Sequence, residues 1–568
     1  MEFTLAIAQV NPHVGALADN GQMLLTVARR AQVLGATLVV FPELVLTGYP
    51  PEDLLHKPHF LQMLATTERR LHQELATIGV DVIYGTVRPT GEGLFNAAVF
   101  VWAGQEVGCV AKWRLPNYGV FDERRYFVPG KEVQIFPYRG ISLGITICED
   151  MWHPGDPLAR LAAAGASLIV NINASPYHMD KQREREEVVR RRVREHGLPV
   201  VYVNQVGGQD ELVFDGGSFA IQAEAPHAME RVVRCRFCAE DLQLLRVSHQ
   251  SGTSVWLHPV AGRQEERDDA WLAASPSDSL EQEIYAVLSL GLRDYVRKNG
   301  FSGVVLGLSG GIDSALTAVI CADTLGAEQV EALMMPSRFT AADSLEDAAE
   351  EAEILDIRLS EIPITPLFEQ FRSQLADLLR DTVVTGEDVT DENLQPRIRA
   401  TLLMAVANKR RKLLITTGNK SEMSVGYATL YGDMAGGYSV LKDVLKGWVY
   451  RLAEARNRWA VARGERPPIP RRVLSRPPTA ELRPNQKDSD SLPPYPVLDR
   501  ILELYVEQEQ GLQEILAAGI ERSVALQVIE RVDRNEYKRR QSPPGVRITR
   551  RAFGKDRRYP LTNGFSIQ

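Results

Sequence analysis

Three residues that could together cleave an amide lie at the ends of separate predicted strands. Glu43 ends the run ATLVVFPE, Lys112 lies in VGCVAKW, and Cys148 follows ISLGITI. A cysteine attacks as the thiolate and needs a nearby base at neutral pH, and Glu43 could take its proton. Lys112 and the backbone N–H after Cys148 could stabilise the oxyanion of a tetrahedral intermediate. Together the three residues predict a nucleophilic site.

A glycine-rich turn in the second half of the chain predicts a phosphate-binding loop. The sequence FSGVVLGLSGGIDSALTAVI reads as a buried strand, a turn at residues 309–314 and a helix. Glycines let the backbone approach a phosphate, hydroxyl and N–H groups donate to it, and the helix N-terminus favours negative charge. The turn lacks the lysine of a P-loop. We therefore expect Mg²⁺ to neutralise the phosphates, with Asp313 as a ligand.

The elements that must position these residues predict an α/β protein of two domains. Residues 1–260 alternate short β-rich runs with helical stretches, and several runs are continuously apolar, as in sheets covered on both faces. Residues 261–279 are rich in charged and small residues and are predicted to be a linker. Residues 280–568 begin with an amphipathic helix and continue as strand–helix pairs, which predicts a doubly wound parallel sheet. Residues 465–496 are predicted to be a long loop.

The first half resembles the nitrilase superfamily in the version that acts as a glutaminase. The segments FPELVLTGYPPEDLL, KWRLPNYGVFDERRYF and ICEDMW carry this resemblance. It implies an αββα sandwich with Glu43 as general base, Lys112 as oxyanion stabiliser and Cys148 as the nucleophile that forms an acyl thioester. The glutamine-binding residues that it implies are Tyr118, Phe121, Glu123, Glu149, Ser175 and Lys181.

The second half resembles two nested families. The SGGIDS turn resembles the pyrophosphate loop of ATP pyrophosphatases, which cleave ATP between the α- and β-phosphates. The segments ENLQPRIR, TTGNKSEMSVGYATLYGDMAGGYSVLKDVLKGWVY and PPTAELRPNQKDSDSLPPYPVLD resemble the NAD synthetases. Over nearly the whole chain the resemblance is to the glutamine-dependent members of that family. It implies that deamido-NAD, ATP and glutamine are converted to NAD⁺, AMP, pyrophosphate and glutamate.

The same resemblance assigns residues to the nucleotides. Those implied for ATP are Ser309, Gly310, Gly311, Ile312, Asp313, Ser314, Thr417, Lys446 and Thr479. Those implied for deamido-NAD are Glu392, Asn393, Arg397 and Glu422, and those implied for Mg²⁺ are Asp313 and Glu422. Pro396 departs from the family pattern. Proline suits the first turn of a helix, so we expect a helix from residue 397 onward.

Composition and charge limit the classes of protein to which this chain could belong. The chain has 568 residues, 44% of them hydrophobic and 24% charged, and a net charge of -8. These values predict a soluble protein of two to four domains, without a nucleic-acid or membrane partner. The family resemblance implies that its partners are small-molecule substrates. The first residues do not predict a signal peptide, and five cysteines do not predict a disulfide framework, so we expect a cytoplasmic protein. The family resemblance implies a homo-oligomer.

Two alternatives stay open. The first is another glutamine-dependent ligase with an ATP-pyrophosphatase loop. Glu2 at the second position disfavours the glutaminases that use an N-terminal cysteine, and Cys148 lacks the glycine-rich elbow of a Cys-His-Glu triad. The second is an amidase of the nitrilase family with an inactive C-terminal half.

A basic segment near the C-terminus also has several interpretations. Its cationic residues are Arg539, Arg540, Arg547, Arg550, Arg551, Lys555, Arg557 and Arg558. Such a run is typical of a solvated face or a nucleic-acid patch, but it could equally contact polyanionic substrates or another subunit.

Overall fold

The computed structural model describes residues 2–222, 231–249, 255–260, 279–380, 388–484 and 486–565. The chain divides into two compact units, Met1–Asp278 and Ser279–Gln568. The predicted linker, residues 261–279, lies outside the described residues except for Ser279.

The first unit contains fifteen described strands and four α-helices. The strands are β1 Glu2–Gln9, β2 Leu38–Val40, β3 Asp81–Thr90, β4 Gly93–Trp102, β5 Gln105–Ala111, β6 Ile135–Tyr138, β7 Ile141–Ile147, β8 Leu168–Asn173, β9 Val200–Asn204, β10 Val206–Gln209, β11 Leu212–Asp215, β12 Phe219–Gln222, β13 Arg231–Arg234, β14 Asp241–His249 and β15 Val255–Pro259. The helices are α1 Leu17–Val33, α2 Pro58–Ile78, α3 Leu158–Ala163 and α4 Lys181–His196.

The strands of the first unit form two large mixed sheets and a hairpin. Within the described residues, one sheet has the order β15-β14-β1-β2-β3-β4-β5 and the other β13-β12-β9-β8-β7-β6, while β10 pairs with β11. The central strands β1, β2 and β3 run parallel, as do β7, β8 and β9. Antiparallel strands flank both sets. The apolar runs of the sequence therefore became the buried centres of the sheets.

Buried side chains show that the two sheets pack face to face between helices. Because side chains alternate across a strand, one face of each sheet can supply a shared core. That shared cluster includes Leu5, Ile7, Ile145 and Val170. The outer face of the first sheet packs on α1 and α2, and the outer face of the second packs on α3 and α4. The predicted αββα sandwich is confirmed.

The second unit contains five described strands and twelve α-helices. The strands are β16 Val304–Gly307, β17 Val330–Met334, β18 Arg358–Glu361, β19 Leu413–Thr416 and β20 Tyr438–Ser439. The helices are α5 Leu280–Lys298, α6 Ile312–Leu325, α7 Ala342–Ile354, α8 Thr365–Leu379, α9 Thr390–Arg410, α10 Lys420–Val425, α11 Lys446–Ala462, α12 Arg471–Ser475, α13 Tyr495–Leu502, α14 Leu512–Ala517, α15 Arg522–Arg534 and α16 Glu536–Arg539. Among the described residues of the chain, no helix has the length and apolarity needed to cross a bilayer.

The strand order of the second unit is that of a doubly wound sheet. The order is β18-β17-β16-β19-β20, and all neighbours are parallel. The chain reverses its direction of winding between β16 and β19. Open sheets of this kind bind ligands at the carboxyl ends of the strands beside such a reversal. The SGGIDS turn follows β16 and the TGNKSE segment follows β19, so the fold brings both to that point.

Two predicted boundaries in the second unit were wrong. Helix α9 begins at Thr390, so Pro396 is its seventh residue rather than part of its first turn. Its missing N–H cannot bond the carbonyl of Glu392, but Pro396 is buried, and tertiary packing outweighs that loss. Residues 465–496 are not one long loop, because they include α12 and the start of α13.

Three of the eight basic residues of the C-terminal segment are buried within the second unit. Arg539 and Arg557 are buried, and each pairs with Glu536, at 2.9 and 2.8 Å. Arg547 is also buried and pairs with Asp556 at 2.5 Å. These three arginines are internal structural groups rather than a solvated face.

A buried acid on α7 predicts a pH-dependent stability. Both carboxyl oxygens of Glu351 are buried without a hydrogen-bond partner. Burial, with a smaller contribution from Asp347, raises the pKa of Glu351 well above its ordinary value. Folding then takes up a proton, so this group lowers stability as the pH rises above the unfolded pKa. Glu351→Gln is expected to raise the urea unfolding midpoint at about pH 8 and much less at about pH 5. A difference between the chains that is independent of pH would contradict this.

Candidate active sites

The predicted base and oxyanion stabiliser of the first unit meet in a buried ion pair. Glu43 lies three residues beyond β2 and Lys112 directly follows β5. Lys112 Nζ donates to Glu43 Oε1 and to Glu123 Oε1, each at 2.7 Å. The three side chains are buried. Burial alone would lower the pKa of Lys112, but the carboxylates of Glu123 and Glu43 raise it well above its ordinary value. The Lys112 side chain therefore remains protonated as an ammonium group.

Further donors fix the Glu43 carboxylate. Asn96 Nδ2 donates to Oε1 at 2.6 Å, and the backbone N–H of Ala174 donates to Oε2 at 2.8 Å. Sequence reasoning did not identify Asn96, although a polar residue inside the apolar run of β4 was the available signal. Gly85 on β3 is also required, because a Cβ there would lie 2.1 Å from the backbone nitrogen of Leu44. The turn that carries Glu43 can therefore pack directly on β3.

Cys148 lies in a strained turn that is anchored to the strand of Lys112. Its φ is +45°, and it begins a short 3-10 turn at the end of β7. Asp150 accepts the N–H groups of Trp113 and Arg114 at 3.0 and 2.8 Å, and that of Ile147 at 3.1 Å. Burial, and then the Glu43 carboxylate, raise the pKa of the Cys148 thiol well above its ordinary value. Cys148 therefore rests as a thiol and needs a base in order to attack.

A second acidic group, Glu149, directly follows Cys148 in the chain. The Tyr118 hydroxyl lies 3.1 Å from both carboxylate oxygens of Glu149, and His153 Nε2 lies 3.0 Å from Oε1. The rings of Tyr118 and Phe121 meet edge to face with centroids 5.5 Å apart. The structure thus brings together Tyr118, Phe121 and Glu149, which were predicted, and adds His153, which was not. Glu149 is placed to accept an ammonium group.

A hydroxyl and a cation follow β8. Ser175 is buried, and its Oγ accepts a hydrogen bond from Arg185 at 3.1 Å. Lys181 Nζ lies 3.7 Å from the centroid of the Trp152 ring and 3.1 Å from Glu184. Burial lowers the pKa of Lys181 to about 8. A hydroxyl and an ammonium suit a carboxylate ligand, so the predicted pair is chemically consistent.

The geometry of Glu43 predicts a change in the reactivity of Cys148. If Glu43 is the base, as predicted, Glu43→Gln removes the proton acceptor, and alkylation of Cys148 by iodoacetamide at neutral pH is expected to slow by about 10²-fold. Mass spectrometry of the alkylated peptides measures this, with Cys109 in the same sample as an internal control. An unchanged rate at Cys148 would show that Glu43 is not its base.

The predicted phosphate-binding loop of the second unit is closed by its own hydrogen bonds. The hydroxyls of Ser309 and Ser314 lie 3.0 Å apart, and the N–H of Gly311 donates to Ser309 Oγ at 3.3 Å. Gly310 has a φ of +77°, and a Cβ there would lie 2.2 Å from the carbonyl oxygen of Ser344. Ile312 begins α6. The loop therefore presents backbone at a helix N-terminus, as a phosphate site requires.

One lysine joins the two carboxylates that were predicted to hold Mg²⁺. Lys446 Nζ lies 2.5 Å from Asp313 Oδ2 and 2.9 Å from Glu422 Oε1. Asn419 Nδ2 donates to Asp313 Oδ1 at 2.8 Å. Burial raises the pKa of Glu422 to about 7, although Lys446 lowers it. The structure thus gathers these residues where the ends of β16 and β19 lie side by side.

Sequence reasoning missed a tyrosine and an acid next to this cluster. The Tyr495 hydroxyl lies 3.2 Å from Glu422 Oε1 and 2.7 Å from Asp488 Oδ2. Both belong to the segment 477–499, but nothing in its spacing singles them out. Glu422 also lines a pocket with Thr416, Gly418, Met423, Asp433, Ser542 and Pro543. The acidic cluster therefore borders a small cavity.

The other predicted nucleotide-binding residues lie on neighbouring segments. On α9, Arg397 Nε donates to the carbonyl of Leu430 at 3.1 Å, and Asn393 Oδ1 accepts from Thr429 at 2.9 Å. Glu392 lies 3.6 Å from Arg483, Thr417 directly follows β19, and the Thr479 hydroxyl donates to Gln486 within its own loop. Arg397, Asn393 and Glu392 thus link α9 to other segments, and Thr479 fixes its own loop.

Comparison with known families matches both units. Residues 4–230 match the carbon-nitrogen hydrolase family, and residues 284–542 match the NAD synthase family.

Relatives match the chain over its whole length. The glutamine-dependent NAD(+) synthetase of Thermotoga maritima is 44% identical over 99% of this chain and 98% of its own. The protein of the same name from Acinetobacter baylyi is 41% identical over 99% of both chains. A solved structure of glutamine-dependent NAD+ synthetase from Acinetobacter baumannii, in complex with ADP, is 40% identical, covers 99% of both chains and has a TM-score of 0.76.

Proposed function

The chain belongs to the glutamine-dependent NAD⁺ synthetase family, and from this premise we propose that it makes NAD⁺ by amidating deamido-NAD with ammonia from glutamine, at the expense of ATP. The observation that carries the proposal is that one chain holds both required sites. The Glu43–Lys112–Glu123 cluster lies with Cys148 in the first unit, and the loop at residues 309–314 lies with Asp313 and Glu422 in the second. The amidase alternative does not require the second site. The other ligase alternative requires both, but it is disfavoured because relatives that match the chain over its whole length are glutamine-dependent NAD(+) synthetases.

In the first unit, Cys148 attacks the side-chain amide carbon of glutamine. Glu43 takes the thiol proton and returns it to the leaving nitrogen, which departs as ammonia. Lys112 stabilises the oxyanion of the tetrahedral intermediate. Water, deprotonated by Glu43, then hydrolyses the thioester to glutamate and free thiol. Glu149 binds the α-ammonium group of glutamine, and Ser175 with Lys181 binds its α-carboxylate.

In the second unit, the nicotinate carboxylate of deamido-NAD attacks the α-phosphorus of ATP. Pyrophosphate leaves and is held by the backbone and hydroxyl groups of residues 309–314. Ammonia then attacks the adenylated carboxyl carbon and AMP leaves, which gives the carboxamide of NAD⁺. Lys446 carries positive charge beside these phosphates. Glu392, Asn393 and Arg397 on α9, together with Glu422, are proposed to bind the dinucleotide.

Mg²⁺ is proposed at Asp313 and Glu422. Both supply hard carboxylate oxygens, and they lie close enough to share the single ammonium of Lys446. Within the described residues no group of three His, Cys, Asp or Glu side chains forms a complete metal site, so ATP oxygens and water would complete the coordination. The ion would neutralise the phosphates of ATP during adenylation.

We also propose that the protein is cytoplasmic and homo-oligomeric. All five cysteines are free thiols, which suits a reducing compartment. The oligomer rests on the family resemblance alone, and light scattering of the purified chain tests it.

An assay with both nitrogen sources tests the proposed function. Purified protein with ATP and deamido-NAD is expected to form NAD⁺ with either glutamine or ammonium. Glutamine hydrolysis without NAD⁺ formation from either source would leave the amidase alternative. Amidation of a different carboxylate instead of deamido-NAD would leave the other ligase alternative.

A further inference from the structure

A fully buried arginine at the start of α4 has no role in the sites described so far. Arg185 and its partner Asp215 are both completely shielded from solvent. The Nη1 and Nη2 groups of Arg185 donate to the two carboxylate oxygens of Asp215 at 2.6 and 2.7 Å. This two-point pair neutralises the guanidinium. Arg185 therefore does not itself act as a charge for a ligand.

The other hydrogen bonds of Arg185 end mainly on the loop that follows β8. Its Nε donates to Ser175 Oγ at 3.1 Å, and its Nη2 donates to the carbonyls of Ser175 and Pro176 at 2.8 and 3.3 Å. The preceding residue, Ala174, donates its N–H to Glu43. Arg185 thus fixes the loop of residues 174–176 by hydrogen bonds. This loop contains Ser175, a predicted glutamine contact, and also bonds to Glu43, the predicted base.

The direction of one of these bonds decides what Ser175 can offer a ligand. A guanidinium N–H can only donate, so Ser175 Oγ is the acceptor and keeps its own proton to donate. The N–H of Ser175 is already taken by Asn204 Oδ1 at 2.9 Å, so the hydroxyl, which also interacts with the Tyr202 hydroxyl, is the donor that Ser175 can offer a ligand. A donor hydroxyl suits an anionic group, and Lys181 supplies a cation six residues later in the chain.

We propose that Arg185, held by Asp215, is a positioning residue that makes Ser175 a donor for the α-carboxylate of glutamine. The pair thereby gives the first unit its selectivity for substrates with a free α-carboxylate. This inference rests on the proposed glutaminase activity and names a determinant of its substrate specificity.

The test compares glutamine with glutamine α-amide, in which the α-carboxylate is a neutral amide. Removing Arg185 alone would leave Asp215 as an unpaired buried charge, so the variant is the double replacement Arg185→Met with Asp215→Asn. The wild type is expected to prefer glutamine. The variant is expected to lose about tenfold of that preference in kcat/KM, mainly through the KM for glutamine, because a hydrogen bond to a charged group is lost. Synthesis with ammonium should not change.

Two matched variants sharpen the result. Ser175→Ala should lose the same preference, and adding it to the double variant should cost little more. Arg192→Met removes another buried arginine of α4, which pairs with Glu195, and should leave the preference unchanged. Should the double variant not fold, Arg185→Lys, which keeps the charge but lacks the Nε–H donor, gives the same comparison.

Equal losses of kcat/KM for glutamine and for glutamine α-amide in the double variant would overturn the proposal, because a merely structural role lowers kcat/KM for both substrates alike. An unchanged preference in the variant would overturn it as well. A wild-type protein that does not hydrolyse glutamine would instead refute the proposed function, before any variant is compared.

Discussion

Cys148→Ala is expected to abolish glutamine-dependent NAD⁺ formation while ammonium-dependent formation continues. The Cys148 thiol is the proposed nucleophile that forms the covalent bond with the glutamine amide. Removing a nucleophile of this kind costs at least about 10³-fold in rate. The second unit, which receives ammonia from solution in the second assay, keeps all its residues. NAD⁺ formation from each nitrogen source is measured under otherwise identical conditions.

Cys235→Ala is the matched control for this change. Cys235 is buried in the same core cluster between the two sheets and loses the same atom in the same kind of surroundings. It is expected to retain both activities. Loss of ammonium-dependent synthesis in Cys148→Ala would contradict the division of labour between the two units.

Asp313→Asn is expected to have the opposite effect to Cys148→Ala, because it should impair synthesis rather than glutamine hydrolysis. It should reduce synthesis from both nitrogen sources by about 10²-fold or more and leave glutamine hydrolysis in place. The carboxylate binds Lys446 at 2.5 Å and is proposed to hold Mg²⁺, and a neutral amide lacks the negative charge that strengthens both interactions. Separate measurements of glutamate and of NAD⁺ distinguish the two activities.

Asp323→Asn is the matched control for Asp313→Asn, because both aspartates lie on α6. Asp323 pairs with Arg456 at 2.7 Å and accepts the Tyr285 hydroxyl, away from the glycine-rich loop. This variant is expected to lower stability but to retain synthesis per folded molecule. Full synthesis in Asp313→Asn would remove Asp313 from the proposed ATP site.

Much of the fold and the main site residues could be predicted from local patterns. The continuous apolar runs of residues 168–170 and 304–306 identified buried strands, because a strand covered on both faces has no polar alternation. Once those strands were placed, Glu43, Lys112 and Cys148 fell at strand ends, where functional groups collect. In the structure Lys112 meets Glu43 directly.

The supporting residues could not be predicted, because they depend on contacts between distant segments. Asn96 reaches Glu43 across 53 positions of the sequence, and Arg185 reaches Asp215 across 30. Periodicity carries no information on such pairs. The predicted helix start near Pro396 was wrong for a related reason. The local preference of proline favours a helix start, but tertiary packing stabilises a helix that begins earlier, at Thr390.

Mass spectrometry of NAD⁺ made with amide-¹⁵N glutamine tests the central claim most directly. Protein, ATP, deamido-NAD and labelled glutamine are incubated together, and the nicotinamide group of the product is examined. We predict NAD⁺ with the label in its carboxamide, formed together with one AMP and one pyrophosphate. Labelled ammonium without any labelled NAD⁺ would contradict the account.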